Sequence, residues 1–176
     1  MTTKGSNDKL DLKAYCIFCK SGSEDSIVAQ ISNLGSGIRA IAPIRVVLEK
    51  RKGKWESTER PLIDGYVFIY IEDDKSIDYF RDLIGVYKVL EYESGDRELR
   101  GADYEYALWI YRHDGRIEPS KALTEGGQVK IIDGPLMSIE GKIIRIDKHK
   151  RRAWVEFQFN DTTQKVSLSV VDISAV

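Results

Sequence analysis

The chain has 176 residues, 42 % of them hydrophobic, and 27 Lys and Arg against 28 Asp and Glu give a formal net charge of −1. That apolar content excludes wholesale disorder, and the length suits one ordinary domain or two small ones. The near-neutral total excludes a global basic field that would draw the whole chain onto nucleic acid, so local patches decide.

No run approaches the ~18–20 apolar residues of a membrane span. The opening MTTKGSNDKLDLK lacks the apolar core of a signal peptide, so the expectation is a cytoplasmic protein with no membrane partner. Residues 1–12 read as a flexible tail. KAYCIFCK (13–20) is a short apolar strand in which Cys16 and Cys19 point to opposite faces. A redox C-x-x-C usually opens a helix and a structural zinc site needs about four ligands, which two cysteines and the distant His113 and His149 do not supply. The thiols are read as packing groups, with no metal and no cofactor.

Ser21 and Glu24 fit a capping box, opening a helix with the stripe Ile27, Val28, Ile31 and Leu34 and a stop at Gly35. IRAIAPIRVVLEK (38–50) is a strand broken at Pro43, and the turn in RKGKWEST predicts a hairpin over 44–60. LIDGYVFIYIE (62–72) puts Val67, Ile69 and Ile71 on one face and Tyr66, Phe68 and Tyr70 on the other, so both faces need cover. DDKSIDYFRDLIG predicts a second helix, capped by its Asp pair, with Ile77, Phe80 and Ile84 inward and Gly85 as its stop. VYKVLEY is a strand, and ADYEYALWIYRHDG is a third helix with Tyr104, Leu108 and Tyr111 on one stripe. The order β-α-β-β-α-β-α over 13–115 predicts an α+β domain, one antiparallel sheet flanked by helices.

RIEPSKALTEGG loses periodicity, which places a linker at 116–124. Beyond it, QVKII, GKIIRID, AWVEFQF and QKVSLSV are short strands at hairpin spacing, which predicts a small closed β-barrel over 125–176. Charge is segregated here: residues 142–152 hold six Lys and Arg and one acid.

Two stretches carry a family resemblance. One is RPLIDGYVFIYIE (60–72); the other is EGGQVKIIDGPLMSIEGKIIRID (125–147), with Val129, Ile131, Asp133, Gly134, Pro135 and Gly141 in a V-x-I-x-D-G-P…G pattern. Asp133-Gly134-Pro135 makes a tight turn in which Gly134 adopts angles denied to a side chain. Gly141 is expected to let the next strand pass close to that turn. With the domain order, these stretches resemble the NusG family of transcription factors, from Tyr15 to the end: an NGN domain, a linker and an SH3-like KOW barrel.

The resemblance implies that the NGN domain binds the clamp helices of bacterial RNA polymerase through an apolar face and favours processive elongation. It implies that the KOW barrel recruits RNA, a ribosome or a termination factor. It implies no catalysis, and the residues show no Ser/His/Asp order, Walker loop or metal cluster. Ala14 and Tyr15 stand where the family carries an aromatic pair, and Ile63-Asp64-Gly65-Tyr66-Val67 where it carries F-P-G-Y-V. The polymerase-facing candidates are therefore Tyr15, Ile63, Tyr66 and Phe68, with ordinary sheet-to-helix core as the competing reading. The third helix laid over this face would close it until activation.

The family's hairpin over 49–60 points toward non-template or upstream DNA. Here it holds Lys50, Arg51, Lys52 and Lys54 beside Trp55, a combination that suits a single strand, although a Lys-rich tip also keeps a hairpin soluble. Where many members have a Phe-Gly-Arg turn late in the barrel, this chain has Phe159-Asn160-Asp161-Thr162, which puts the ribosome contact in question. In DKHKRRAWVEFQF, Ala153, Val155, Phe157 and Phe159 alternate inward and Trp154 outward. Trp154 beside Lys148, His149, Lys150, Arg151 and Arg152 combines a stacking plane with phosphate-directed cations, as proteins that hold RNA loops do. The departures resemble a specialised antitermination paralogue of the LoaP type, acting as a monomer. The rival readings are a general NusG role and a stand-alone RNA-binding module of ribosome assembly.

Overall fold

The structure is a computed structural model that describes residues 12–34, 37–72 and 77–174. Residues 1–11, the expected stop Gly35 and the expected caps Asp73 and Asp74 lie outside the described residues. The fold is α+β: an antiparallel sheet flanked by helices, followed by a small β-barrel. The chain runs β1 (Lys13–Cys19), α1 (Glu24–Ser32), β2 (Ile38–Ile41), β3 (Ile44–Arg51), β4 (Lys54–Pro61), β5 (Tyr66–Ile71), a 3-10 turn (Asp78–Asp82), β6 (Val86–Val89) and α2 (Gly101–Arg112). It continues through β7 (Arg116–Ile117), β8 (Ser120–Glu125), β9 (Gln128–Asp133), a second 3-10 segment (Pro135–Lys142), β10 (Ile143–Asp147), β11 (Arg152–Phe159) and β12 (Thr162–Asp172).

Strand order in the first sheet is β2-β5-β1-β6, with Cys16 opposite Phe68 and Phe18 opposite Tyr66. The β3–β4 hairpin does not join that sheet, as the single-sheet expectation had it. It forms a separate three-stranded sheet, β4-β3-β7, in which β7 pairs parallel to β3. The barrel strands are ordered β10-β11-β12-β8-β9, and β12 returns parallel to β8. Two of the hairpins turn on two residues of positive φ, Lys52-Gly53 and Asn160-Asp161, the backbone that matches strand twist.

The period-two pattern sorts the core. On one side of the first sheet, Ile17, Cys19, Val67 and Ile69 pack with Ile27 and Ile31 of α1 and with Phe80. On the other side, Ala14, Cys16, Phe68 and Tyr70 join α2 and the barrel in one continuous core. Cys16 and Cys19 are both buried and belong to these two different clusters, as strand alternation requires.

Several local expectations are corrected. No capping box forms: Ser23 stands at the N-cap with no side-chain bond to the helix, and the Glu24 carboxylate accepts the Gly22 and Gly65 N–H groups, each at 2.8 Å. The Ser21 hydroxyl donates instead to Asp64 at 2.8 Å. A cross-chain anchor thus replaces the local one. The second helix is only the 3-10 turn Asp78–Asp82. Ile77 and Phe80 are buried, but the chain turns extended at Leu83 and Ile84 is left 82 % exposed. On α2 the buried arc is Tyr106, Ala107, Trp109 and Ile110 rather than the Tyr104–Leu108–Tyr111 stripe, because the helix lies between the sheet and the barrel and is covered from two sides. The stretch 116–124, expected as a linker, holds β7 and most of β8.

Gly134 behaves as expected. Its φ is +100°, and an added Cβ would lie 2.7 Å from the Ser120 Cα. The buried Ser120 hydroxyl accepts the Leu136 N–H at 3.0 Å, so the turn cannot retreat freely. At Gly141, by contrast, an added Cβ would meet nothing within 4 Å and φ is not positive, so this glycine eases no close approach. Gly134→Ala is therefore expected to destabilise the chain by at least about 2 kcal/mol in urea unfolding, whereas Gly141→Ala stays within about 0.5 kcal/mol. Burial pushes the Cys19 thiol up to about 11 and the Cys16 thiol well above its ordinary value. Since the thiolate is the reactive form, iodoacetamide at pH 8 should leave both cysteines unmodified in the native protein and add two adducts by mass spectrometry once it is denatured.

Candidate polymerase-binding face and nucleic-acid cleft

Strand β5 places Tyr66 and Phe68 on the face shared with Cys16 and Phe18. Phe68 is fully buried and Ile63 nearly so; Tyr66 is half-buried. What covers Phe68 is aromatic: the Phe159 ring of β11 lies 5.4 Å away and the Tyr106 ring of α2 5.9 Å away. Phe159 also meets Tyr66 edge-on at 5.7 Å. Behind it, Phe157 packs on Tyr106 at 4.5 Å and on Trp109 at 5.0 Å. The barrel is held there by polar contacts as well. The Trp109 indole N–H donates to the Pro135 carbonyl at 3.0 Å, and Asp103 accepts the Asn160 N–H at 3.0 Å. The Phe159–Thr162 turn is thereby seated on the first turns of α2.

Tyr15 is not part of this face. It stands opposite Ile69 and packs with Ile17 and its neighbours on the other side of the sheet, where burial and then the charge of Glu98 raise its phenol pKa. The β1–β5 register, which sets Tyr15 opposite Ile69 and Cys16 opposite Phe68, decides this, and family position alone could not reveal it. The same register points to two aromatics the sequence reading omitted. Phe18 lies 5.4 Å from both Tyr66 and Tyr87, and Tyr87 on β6 is 63 % exposed. An aromatic strip therefore runs from the covered Phe68 through Tyr66 and Phe18 to the open Tyr87.

The cationic candidates arrive from two hairpins. Lys50, Arg51, Lys52 and Lys54 sit around the β3–β4 turn. Lys148, His149 and Lys150 are exposed on the β10–β11 connection, and Arg151, at φ +54°, and Arg152 are half-buried behind them. Asp147 accepts the Lys150 N–H at 3.1 Å, a bond that leads the causes holding the Asp147 carboxyl below its ordinary value. Trp154 points outward, as alternation predicts, with the Arg145 guanidinium 4.1 Å from its ring.

The two hairpins converge. A cleft of about 570 Å³ is lined from one side by Leu48, Lys50, Arg51 and Trp55 and from the other by His149, Lys150, Arg152 and Trp154. Arg151 stacks across the junction, 4.1 Å from the Trp55 ring. Lys52, Lys54 and Lys148 lie outside this lining. Below it, the Arg45 guanidinium donates to the Ser167 carbonyl and hydroxyl at 2.9 and 3.1 Å, and the Ser169 hydroxyl accepts the Leu48 N–H at 2.9 Å. Burial lowers the Arg45 and Arg152 pKa values, and facing Arg152 and Arg60 adds to the shift at Arg45. Glu49, the acid in the lining, accepts from Arg60 at 2.8 Å and from Arg51 at 3.3 Å.

Residues 13–102 match the family model described as Transcription termination factor nusG. The chain belongs to the NusG family. That match ends within α2, so the barrel and the second wall of the cleft lie beyond it. A relative named Transcription termination/antitermination protein NusG, from Helicobacter pylori strain 26695, is 27 % identical over 147 residues, covering 78 % of this chain and 84 % of the relative. Its counterpart from strain J99 is 26 % identical over the same length and coverage. A solved structure described as Domain interaction in Thermotoga maritima NusG is 20 % identical, covers 90 % of this chain and 93 % of that one, and aligns with a TM-score of 0.49.

In this NusG-family transcription factor, Phe68 is core as it stands. Phe68→Ala is expected to cost about 3–5 kcal/mol in urea unfolding, because it empties the space between Phe159 and Tyr106. Tyr87→Ala, which removes a ring that is mostly in solvent, should cost less than about 1 kcal/mol.

Proposed function

We propose that this chain is a cytoplasmic, monomeric elongation and antitermination factor. Its NGN domain, residues 13–115, binds the clamp helices of bacterial RNA polymerase and promotes processive elongation without catalysis. The KOW barrel, β8 to β12, binds RNA and recruits the factor, in the manner of a specialised paralogue of the LoaP type. One observation carries this reading: the aromatic strip Tyr87–Phe18–Tyr66 is open to solvent at one end and runs under the barrel to Phe68 at the other. Exposed, contiguous aromatic surface is the kind of feature that marks a protein partner, and aromatic anchors dominate binding energy where they are covered.

A helical hairpin of polymerase laid on this strip would meet Tyr87, Phe18 and Tyr66 first, and would reach Phe68 only by displacing Phe159 and the barrel that carries it. Polymerase affinity is then reduced by the fraction of molecules whose barrel is docked. The choice of RNA over ribosome or termination factor for the barrel rests on its two ends. The Phe159–Thr162 turn is engaged with α2 through Asp103, while Lys148, His149 and Lys150 are exposed and Trp154 points outward.

The test is capture of RNA polymerase from a nuclease-treated bacterial lysate by the tagged full-length chain. Polymerase should be retained without nucleic acid. Tyr87→Ala and Tyr66→Ala should each reduce the amount retained, with an affinity loss of about 2 kcal/mol. The Tyr87→Ala protein should keep its melting temperature. Absence of polymerase from the wild-type capture would overturn the reading.

A further inference from the structure

We propose that the β3–β4 and β10–β11 hairpins together form a single site for an unpaired stretch of RNA, with Trp55 and Trp154 as its two walls. The proposal rests on the reading of 148–154 as an RNA-binding surface and extends it, because that surface is only half of the site. The first argument is shape. The cleft between the hairpins holds about 570 Å³, within the range of pockets that enclose a small ligand or one segment of a larger one.

The second argument is charge. Lys50, Arg51, His149, Lys150 and Arg152 converge on this cleft. Its one lining acid, Glu49, is held by Arg60 and Arg51 and directs little negative charge at an incoming phosphate. At the base, Arg45, Arg60 and Arg152 face one another, and an anion bound above them relieves that repulsion. A phosphodiester chain is the ligand this field favours.

The third argument is the aromatic geometry. Each tryptophan carries a guanidinium on its ring, Arg151 on Trp55 and Arg145 on Trp154, both at 4.1 Å. Such stacks fix the orientation of long side chains and hold their N–H edges ready for phosphate. Indole rings also receive bases, but only unpaired ones, since a duplex hides its base faces. Alternating cations and indoles along a groove that both hairpins build therefore select a single strand, and the setting of a transcription factor makes RNA the occupant.

The site exists because the barrel is docked. Its walls come from segments whose joining bond, the Leu48 N–H to the Ser169 hydroxyl, spans 121 residues of chain. RNA that touches both walls stabilises the docked arrangement, the one in which Phe159 covers Phe68. RNA then holds the factor beside a transcribing polymerase with its aromatic strip still partly covered. Full engagement of Phe68 requires release of the β3–β4 wall.

The experiment measures affinity of the full-length chain for fluorescein-labelled RNA hairpins with a randomised unpaired loop of about eight nucleotides, at low salt. Three variant classes are compared with wild type: Lys50→Ala with Arg51→Ala, Trp55→Ala, and His149→Ala with Lys150→Ala. Each is expected to weaken binding about tenfold, and Trp55→Phe should recover part of the loss. Circular dichroism confirms that each variant is folded. If the β10–β11 variant weakens binding while both β3–β4 variants stay within about twofold of wild type, the composite site is wrong and the single-hairpin reading stands. If wild type shows no affinity for the RNA, both fall. If the DNA version of the same hairpins binds more tightly than RNA, the assignment of RNA as occupant is overturned.

Discussion

Strand β5 has apolar side chains on both faces, and every other part of the molecule is arranged around covering them. Val67, Ile69 and Ile71 are covered by α1 and the Asp78–Asp82 turn; Phe68 and Tyr70 are covered by α2 and the barrel. Each large side chain so buried contributes roughly 1.5–3 kcal/mol, so neither face can be left to water without losing a large part of the stability of an ordinary domain. Tyr70 shows how complete the second cover is: its hydroxyl donates to the Ala107 carbonyl at 2.7 Å, and burial raises its pKa far above the ordinary phenol.

The second cover is of mixed character. The rings of Phe157, Phe159, Tyr106 and Trp109 supply apolar area, and among the described residues the Tyr106 hydroxyl is buried without a hydrogen-bond partner. The seam is otherwise closed by a few hydrogen bonds from Arg45, Leu48, Trp109 and Asn160. The face that covers Phe68 thus combines aromatic area with hydrogen bonds between α2 and the barrel.

Much of the fold was legible because its signals are local. Alternation along β11 assigned Val155, Phe157 and Phe159 to the interior and Trp154 to the surface, since side-chain direction in a strand depends only on parity. The D-G-P turn was legible for a similar reason: a φ of +100° at Gly134 is a property of a single residue. The errors arose where a distant neighbour outweighed a local pattern. Glu24 could have capped its own helix, but the Gly65 N–H, 41 residues away, reached it instead. The stripe on α2 was misplaced because two neighbours, not one, choose its buried arc. The aperiodic stretch 116–124 became β7 and β8 because strand edges on β3, β9 and β12 were available to pair with it.

By itself, the sequence determined most of the element types, the alternation along the strands, the family and the two clusters of cations, because all of these follow from short-range geometry and residue identity. Tertiary structure alone decided that Tyr15 lies apart from Phe68, that Phe18 and Tyr87 extend the aromatic strip, and that Phe68 is covered by Phe159. It also decided that Trp55 and Trp154 wall the same cleft. The physical reason is that these are relations between segments far apart in the chain, fixed only when the strands pair and burial of the second face of β5 seats the barrel on the sheet, and no local periodicity records where a distant surface will come to rest.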